Sequence, residues 1–194
     1  MKAPEKTLRI CLFGGTFDPV HNGHVQMAEK VVSEGLADEI VFIPCRQSPL
    51  KETATGASGA QRVKMLELAT RNLLFAKVDD LELERPLPSF SYQTVQTYQE
   101  DNPGAQIQWV LGTDQWNALD DWRESEFLLK TLEFIVLQRG EEPLVQRPSS
   151  RMKRLEFSHP ASATAIRQSL SVGQEAKWLD EKVAKFIKAE NLYS

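Results

Sequence analysis

The chain has 194 residues, 41% hydrophobic and 26% charged, the balance of an ordinary water-soluble globule, which excludes disordered, collagen-like and coiled-coil chains. Lys plus Arg number 23 against 27 Asp plus Glu, a net charge of −4. That argues against a duplex nucleic-acid face, because neutralising phosphates takes a concentrated excess of cations.

At about 100–200 residues per domain, the length predicts one domain over residues 1–194, with the helices from about residue 162 packed on it. Cys11 and Cys45 are far apart and outside any C-x-x-C pair, so neither a disulfide framework nor a zinc site is expected. No apolar run reaches about 18 residues, and Met1–Lys6 has no apolar signal-like stretch, so the chain reads as cytoplasmic with no membrane contact.

In chain order, Leu8 to Phe13 (LRICLF) predicts a buried strand stopped by a turn at Gly14-Gly15. Apolar residues recur at helical spacing from Gly23 to Glu34, and Gly35 ends that helix. Glu39 to Ile43 predicts a second strand, stopped by Pro44. Strand, helix, strand in this length is a βαβ unit, which implies a parallel sheet. A polar loop over Arg46 to Ala60 precedes an amphipathic helix over Gln61 to Leu74. Val78 to Glu84 alternates apolar and acidic residues and predicts an edge strand. Thr94 to Glu100 predicts a helix, and Ile107 to Leu111 and Leu132 to Leu137 predict buried strands. Gly140 to Arg154 reads as polar and irregular, before helices over Thr164 to Leu170 and Trp178 to Asn191. The fold class expected is α/β: a Rossmann-like, doubly wound parallel sheet flanked by helices, with ligands at the carboxyl ends of its strands.

The segment Gly14 to His24 (GGTFDPVHNGH) carries the chemistry. Adjacent glycines let backbone approach a ligand and adopt positive φ, and the helix that follows offers unpaired amides and a partial positive charge to phosphate. His21 and His24, two of three histidines in the chain, stand about one helical turn apart and can face one anion. A glycine turn with two incidental histidines is the competing account. The G-x-G-x-x-G and G-x-x-x-x-G-K-[ST] patterns are both missing.

GGTFDPVHNGH resembles the signature of the H-x-G-H nucleotidyltransferases. More narrowly, the chain resembles the bacterial nicotinate-nucleotide adenylyltransferases over nearly its whole length. PCRQSPLK (Pro44–Lys51), QRVKMLELA (Gln61–Ala69), SYQTVQT (Ser91–Thr97), GTDQWNALDDW (Gly112–Trp122) and SATAIR (Ser162–Arg167) are similar to further segments of that family. The chain departs from the pattern at Leu50, where a histidine is common, at the extra Gln93, and at Ala163, which replaces a serine.

The resemblance implies that ATP and nicotinate mononucleotide become nicotinate adenine dinucleotide and pyrophosphate, a step of NAD biosynthesis. The nucleophilic phosphate is already ionised, so no general base is needed. By the same resemblance His21, His24 and Arg167 are the catalytic residues, the imidazoles at the α- and β-phosphates and the guanidinium at the departing pyrophosphate. Gly14, Gly15, Thr16, Phe17, Gly112, Asp114, Arg139, Ser162 and Thr164 would line the ATP site. Lys51, Thr94, Trp122 and Arg123 would meet the mononucleotide. Asp114 and Ser162 could instead be helix caps, Trp122 core, and Lys51 a solvated loop lysine. Mg²⁺ is expected to arrive with ATP rather than in a protein cage. A phosphopantetheine adenylyltransferase, a cytidylyltransferase and a nucleotide sensor without turnover stand as alternatives. Oligomeric state stays open.

Overall fold

The computed structural model describes residues 7–46, 56–86, 88–138, 140–148 and 150–194. Six strands, β1 (Arg9–Gly15), β2 (Glu39–Pro44), β3 (Ala76–Val78), β4 (Gln106–Gly112), β5 (Glu133–Gln138) and β6 (Arg151–Glu156), form one sheet in the order β3-β2-β1-β4-β5-β6. Every neighbouring pair is parallel, as the βαβ reading requires.

Alternation along the strands divides their side chains between two cores. Cys11, Phe13, Ile40, Phe42, Val110, Ile135 and Leu137 face one layer. There they pack on α1 (Asn22–Ser33), α2 (Gly59–Thr70) and α8 (Glu181–Ala189) through Met27, Val31, Met65, Leu66, Val183 and Ile187. Ile10, Leu12, Val41, Ile43, Trp109, Leu111, Phe134 and Val136 face the other layer, with Val95 of α4 (Ser91–Asp101), Trp116 of α5 (Thr113–Asn117) and Leu128 of α6 (Ser125–Thr131). A sheet covered on both faces reads as continuous apolar runs, which is why β1, β2, β4 and β5 are visible in the sequence.

The differences from the sequence reading have local causes. Gly14 and Gly15 belong to β1 rather than to a turn, and neither has positive φ. A Cβ on Gly14 would come 2.6 Å from Trp109 Cζ2, and one on Gly15 would come 2.9 Å from Phe17 Cζ. The pair is required because rings lie against the strand; the left-handed residue is Phe17, at φ 49°. Helix α2 starts two residues before Gln61 because Ser58 and Gln61 form a reciprocal cap, Gln61 N donating to Ser58 Oγ at 3.3 Å and Ser58 N to Gln61 Oε1 at 2.9 Å.

Val78–Glu84 is not a strand: β3 stops at Val78 and a single helical turn, α3 (Leu81–Glu84), follows. Asp79 Oδ1 accepts the Leu81 amide at 3.0 Å, a side-chain-to-backbone bond that competes with strand extension. Between β4 and β5, where periodicity predicts no element, α5, a 3-10 turn at Leu119–Asp121 and α6 follow one another. The stretch read as irregular after Gly140 ends in β6, an edge strand whose apolar residues, Met152 and Leu155, are three apart and so carry no period-two signal. Helix α7 (Ala163–Ser171) is close to its expected bounds, whereas α8 starts at Glu181, after Trp178 at φ 68° and the Asp180 cap.

Arg62 of α2 is 1% exposed, and its Nη1 donates to the carbonyls of Thr16 at 2.7 Å and Cys45 at 2.8 Å. It therefore ties the ends of β1 and β2 together beneath the loop after β1. Replacing it by methionine keeps the volume and strips both carbonyls of their donor. Urea unfolding of Arg62→Met is expected to show a loss of about 2–4 kcal/mol; a change under about 1 kcal/mol would remove the guanidinium from the account of the fold.

Candidate active site

The helices after β1 and β4 leave toward opposite faces, α1 to one core and α5 to the other. Among the described residues neither of these two helices covers the carboxyl ends of the two neighbours, and a cleft opens at the switch point. Its volume is about 530 Å³.

On the β1 side the cleft wall carries Gly14, Gly15, Thr16, His21 and His24. His21 is the N-cap of α1 and is 6% exposed. Its ring stacks on that of His24, with centroids 3.7 Å apart and planes inclined 18°. The His21 amide donates to His24 Nδ1 at 3.2 Å, which leaves Nε2 as the protonated nitrogen of the neutral ring and thus a donor. The edge of His24 rests on Phe17, centroids 5.1 Å apart. The expected run of unpaired amides at the start of α1 needs correcting. Asn22 N donates to Trp178 O at 2.8 Å, and His24 N turns back to His21 O at 2.9 Å.

On the β4 side stand Gly112, Asp114, Trp122 and Arg123. Gly112 is itself the N-cap of α5 and Asp114 lies in its first turn, so the carboxylate is not the helix cap. Trp122 meets Trp109 edge-on at 5.9 Å and borders the cleft while packing on the second core, so its core and site readings coexist. The Arg123 guanidinium lies 5.4 Å from the centre of the Phe90 ring, another wall residue. From the far end of the chain, Ser162 faces the cleft as the N-cap of α7, with no capping bond from its side chain.

Four sequence candidates are not on this wall. The Phe17 side chain is 2% exposed, within the first core. Thr94 is fully buried behind Glu82, to whose Oε1 its hydroxyl donates at 2.7 Å. Thr164 and Arg167 stand further along α7, where Arg167 Nη1 donates to the Asp18 carbonyl at 2.6 Å and Nη2 approaches Thr164 Oγ1 at 3.4 Å. Lys51 and Arg139 lie outside the described residues.

Other wall residues carry no signal in the sequence. Glu82, Ser89, Trp109 and Asp121 reach the cleft from separate elements, and only the sheet order brings them to it. His159, the third histidine, accepts the Ala161 amide at Nδ1 and lies where a Cβ on Gly23 would meet it at 3.1 Å, so it backs the H-x-G-H turn. Among the described residues no group of three or more His, Cys, Asp or Glu is placed to hold a metal ion, and no helix is long and apolar enough to cross a membrane.

Residues 12–169 match the cytidylyltransferase-like family model. The chain is 34% identical to a "Probable nicotinate-nucleotide adenylyltransferase" of Staphylococcus epidermidis, across 95% of this chain and 97% of that one. It is 30% identical to a protein of the same name in Methylacidiphilum infernorum, across 96% and 93%. The chain belongs to the nicotinate-nucleotide adenylyltransferases, within the cytidylyltransferase-like family. It is a nucleotidyltransferase enzyme. The fold agrees: nicotinic acid mononucleotide adenylyltransferase of Plasmodium falciparum, solved with NaAD, superimposes with a TM-score of 0.80 at 22% identity, over 96% of this chain and 97% of that one. The same enzyme solved with APC gives 0.77 at 21%.

Burial pushes the Glu82 carboxyl above the usual carboxylate range, partly offset by hydrogen bonds from Thr94 and Ser89 and by the charge of Arg85. An acid whose folded pKa is raised stabilises the fold fully below its unfolded pKa, and that contribution is lost as pH rises through the folded value. Glu82→Gln, a neutral mimic, should therefore gain on the wild type in denaturant midpoint as pH rises from about 4 to 7. Parallel midpoint curves would show that Glu82 titrates alike in the folded and unfolded chain.

Proposed function

We propose that this enzyme transfers the adenylyl group of magnesium-bound ATP to nicotinate mononucleotide, forming nicotinate adenine dinucleotide and releasing pyrophosphate. The observation that carries this reading is the stacked His21–His24 pair at the start of α1, in one cleft with Trp122 and Arg123, which follow the 3-10 turn at Leu119–Asp121. The names of the two bacterial relatives and the NaAD complex of the Plasmodium enzyme support the substrate class.

The mononucleotide phosphate attacks the α-phosphorus in line; a new P–O bond forms as the bond to the β-phosphate oxygen breaks, and pyrophosphate leaves with that electron pair. Because the nucleophile is already anionic, the residues act by position and charge. The Nε2–H of His24, the His21 ring and the Thr16 hydroxyl meet the α- and β-phosphate oxygens, where charge builds in the transition state. Ser162 takes the pyrophosphate end, with Thr164 and Arg167 behind it. Gly14, Gly15 and Phe17 supply backbone beside the phosphates, and Gly112 and Asp114 take the adenosine side. In this reading Trp122 stacks on the pyridine, Thr94 braces that wall through Glu82, and the Arg123 fork matches a carboxylate better than a carboxamide. Lys51 is assigned to a phosphate of the mononucleotide and Arg139 to ATP. Mg²⁺ enters as part of the nucleotide substrate, on phosphate oxygens and water.

Pyrophosphate release with ATP and Mg²⁺ tests this directly, offering nicotinate mononucleotide, nicotinamide mononucleotide and phosphopantetheine in parallel. Turnover is expected to favour the nicotinate acid. Preference for phosphopantetheine would overturn the substrate, and silence with all three despite ATP binding would make the protein a nucleotide sensor. His24→Ala should lower kcat by about 10²–10³ with little change in unfolding midpoint; near-normal turnover would remove the imidazole from the chemistry.

A further inference from the structure

The residues joining Gly15 to His21 are held from outside their own segment. Asp18 is 5% exposed, and its carboxylate accepts three hydrogen bonds: Gly56 N at 2.8 Å, Ala57 N at 3.0 Å and the Tyr193 hydroxyl at 2.7 Å. Tyr193 follows α8, 175 residues along the chain from Asp18. Its ring lies over Gly56, where a Cβ would come 2.8 Å from Tyr193 Cε1. Burial and the Asp18 charge push the phenol far above its usual range, so it stays a donor at any working pH.

The residue next to Asp18 shows why such a hold matters. Phe17 is a non-glycine residue at φ 49°, a conformation that persists only where the surroundings over-determine it. Its ring packs on both Phe13 and His24, at centroid distances of 5.4 and 5.1 Å. A shift of Asp18 therefore moves Phe17, and with it the imidazole resting on Phe17.

We propose that Tyr193 is a positioning residue: its hydroxyl fixes the Asp18 carboxylate, and through Asp18 and Phe17 it sets the placement of Thr16 and His24 against the reacting phosphates. This rests on the phosphoryl-transfer reading of the same cleft. In-line transfer is sensitive to such placement, since an error of about 1 Å costs up to about 10²-fold in rate. A purely structural phenol would instead staple the end of the chain to the core and leave the folded enzyme's rate alone.

The molecule contains a matched control. Tyr98 of α4 donates its hydroxyl to Asp79 Oδ2, another half-buried Tyr–Asp pair, and packs in the other helical layer. Tyr193→Phe and Tyr98→Phe are expected to shift the unfolding midpoint comparably. Only Tyr193→Phe should lower kcat, by on the order of 10–100-fold, with KM for ATP within about twofold of wild type. Asp18→Asn should split kcat from KM in the same sense, and serves if Tyr193→Phe does not fold. Equal kcat in Tyr193→Phe and wild type, or an equal loss in both tyrosine variants, overturns the assignment. If the wild type itself makes no pyrophosphate, the proposed function fails. The NMR signals of the His21 and His24 rings in the substrate-free chain then decide the positioning role: displaced in Tyr193→Phe and unmoved in Tyr98→Phe supports it, and unmoved in both overturns it.

Discussion

A parallel sheet covered on both faces must send the helix after each strand to one side or the other, and here the side changes between β1 and β4. That change turns the helices that follow two adjacent strands away from each other, and the cleft is the space between them. Everything assigned to chemistry depends on it. The glycines end β1, Gly112 ends β4, and the imidazole pair caps the helix that departs from the first of these strands.

The demands of the cleft and of the core meet at particular side chains. Gly14 lacks a Cβ because Trp109 lies against β1, and the same indole borders the cleft and meets Trp122. Phe17 closes the first core while supporting His24. Arg62, almost fully buried, is committed to two carbonyls just beyond the strand ends. These residues are coupled because the cleft floor is also the top of the core; a change made for packing there alters the site.

The C-terminal third closes the site from behind. Arg167 reaches the Asp18 carbonyl, Trp178 supplies a carbonyl to the first amide of α1, and His159 backs Gly23. The helix N-terminus beside the imidazoles thus presents fewer unpaired amides than an isolated helix would. The side-chain donors His21, His24, Thr16 and Ser162 carry correspondingly more of the anion recognition proposed for the cleft.

What the sequence determined alone follows from short-range rules: apolar runs for the buried strands, 3.6-residue spacing for α1, α2 and α4, and one contiguous segment, Gly14–His24, that placed glycines and imidazoles at a strand-to-helix junction. It could not show β6, whose charged residues mark an edge and not a period, nor α3, where the Asp79 side chain overrides the alternation of Leu81–Glu84. The wall residues Glu82, Ser89, Trp109 and Asp121, the burial of Thr94, and the Asp18–Tyr193 bond were decided by tertiary structure. Each depends on which strands are neighbours, and contacts across 12 to 175 residues of chain leave no periodic trace in the local sequence.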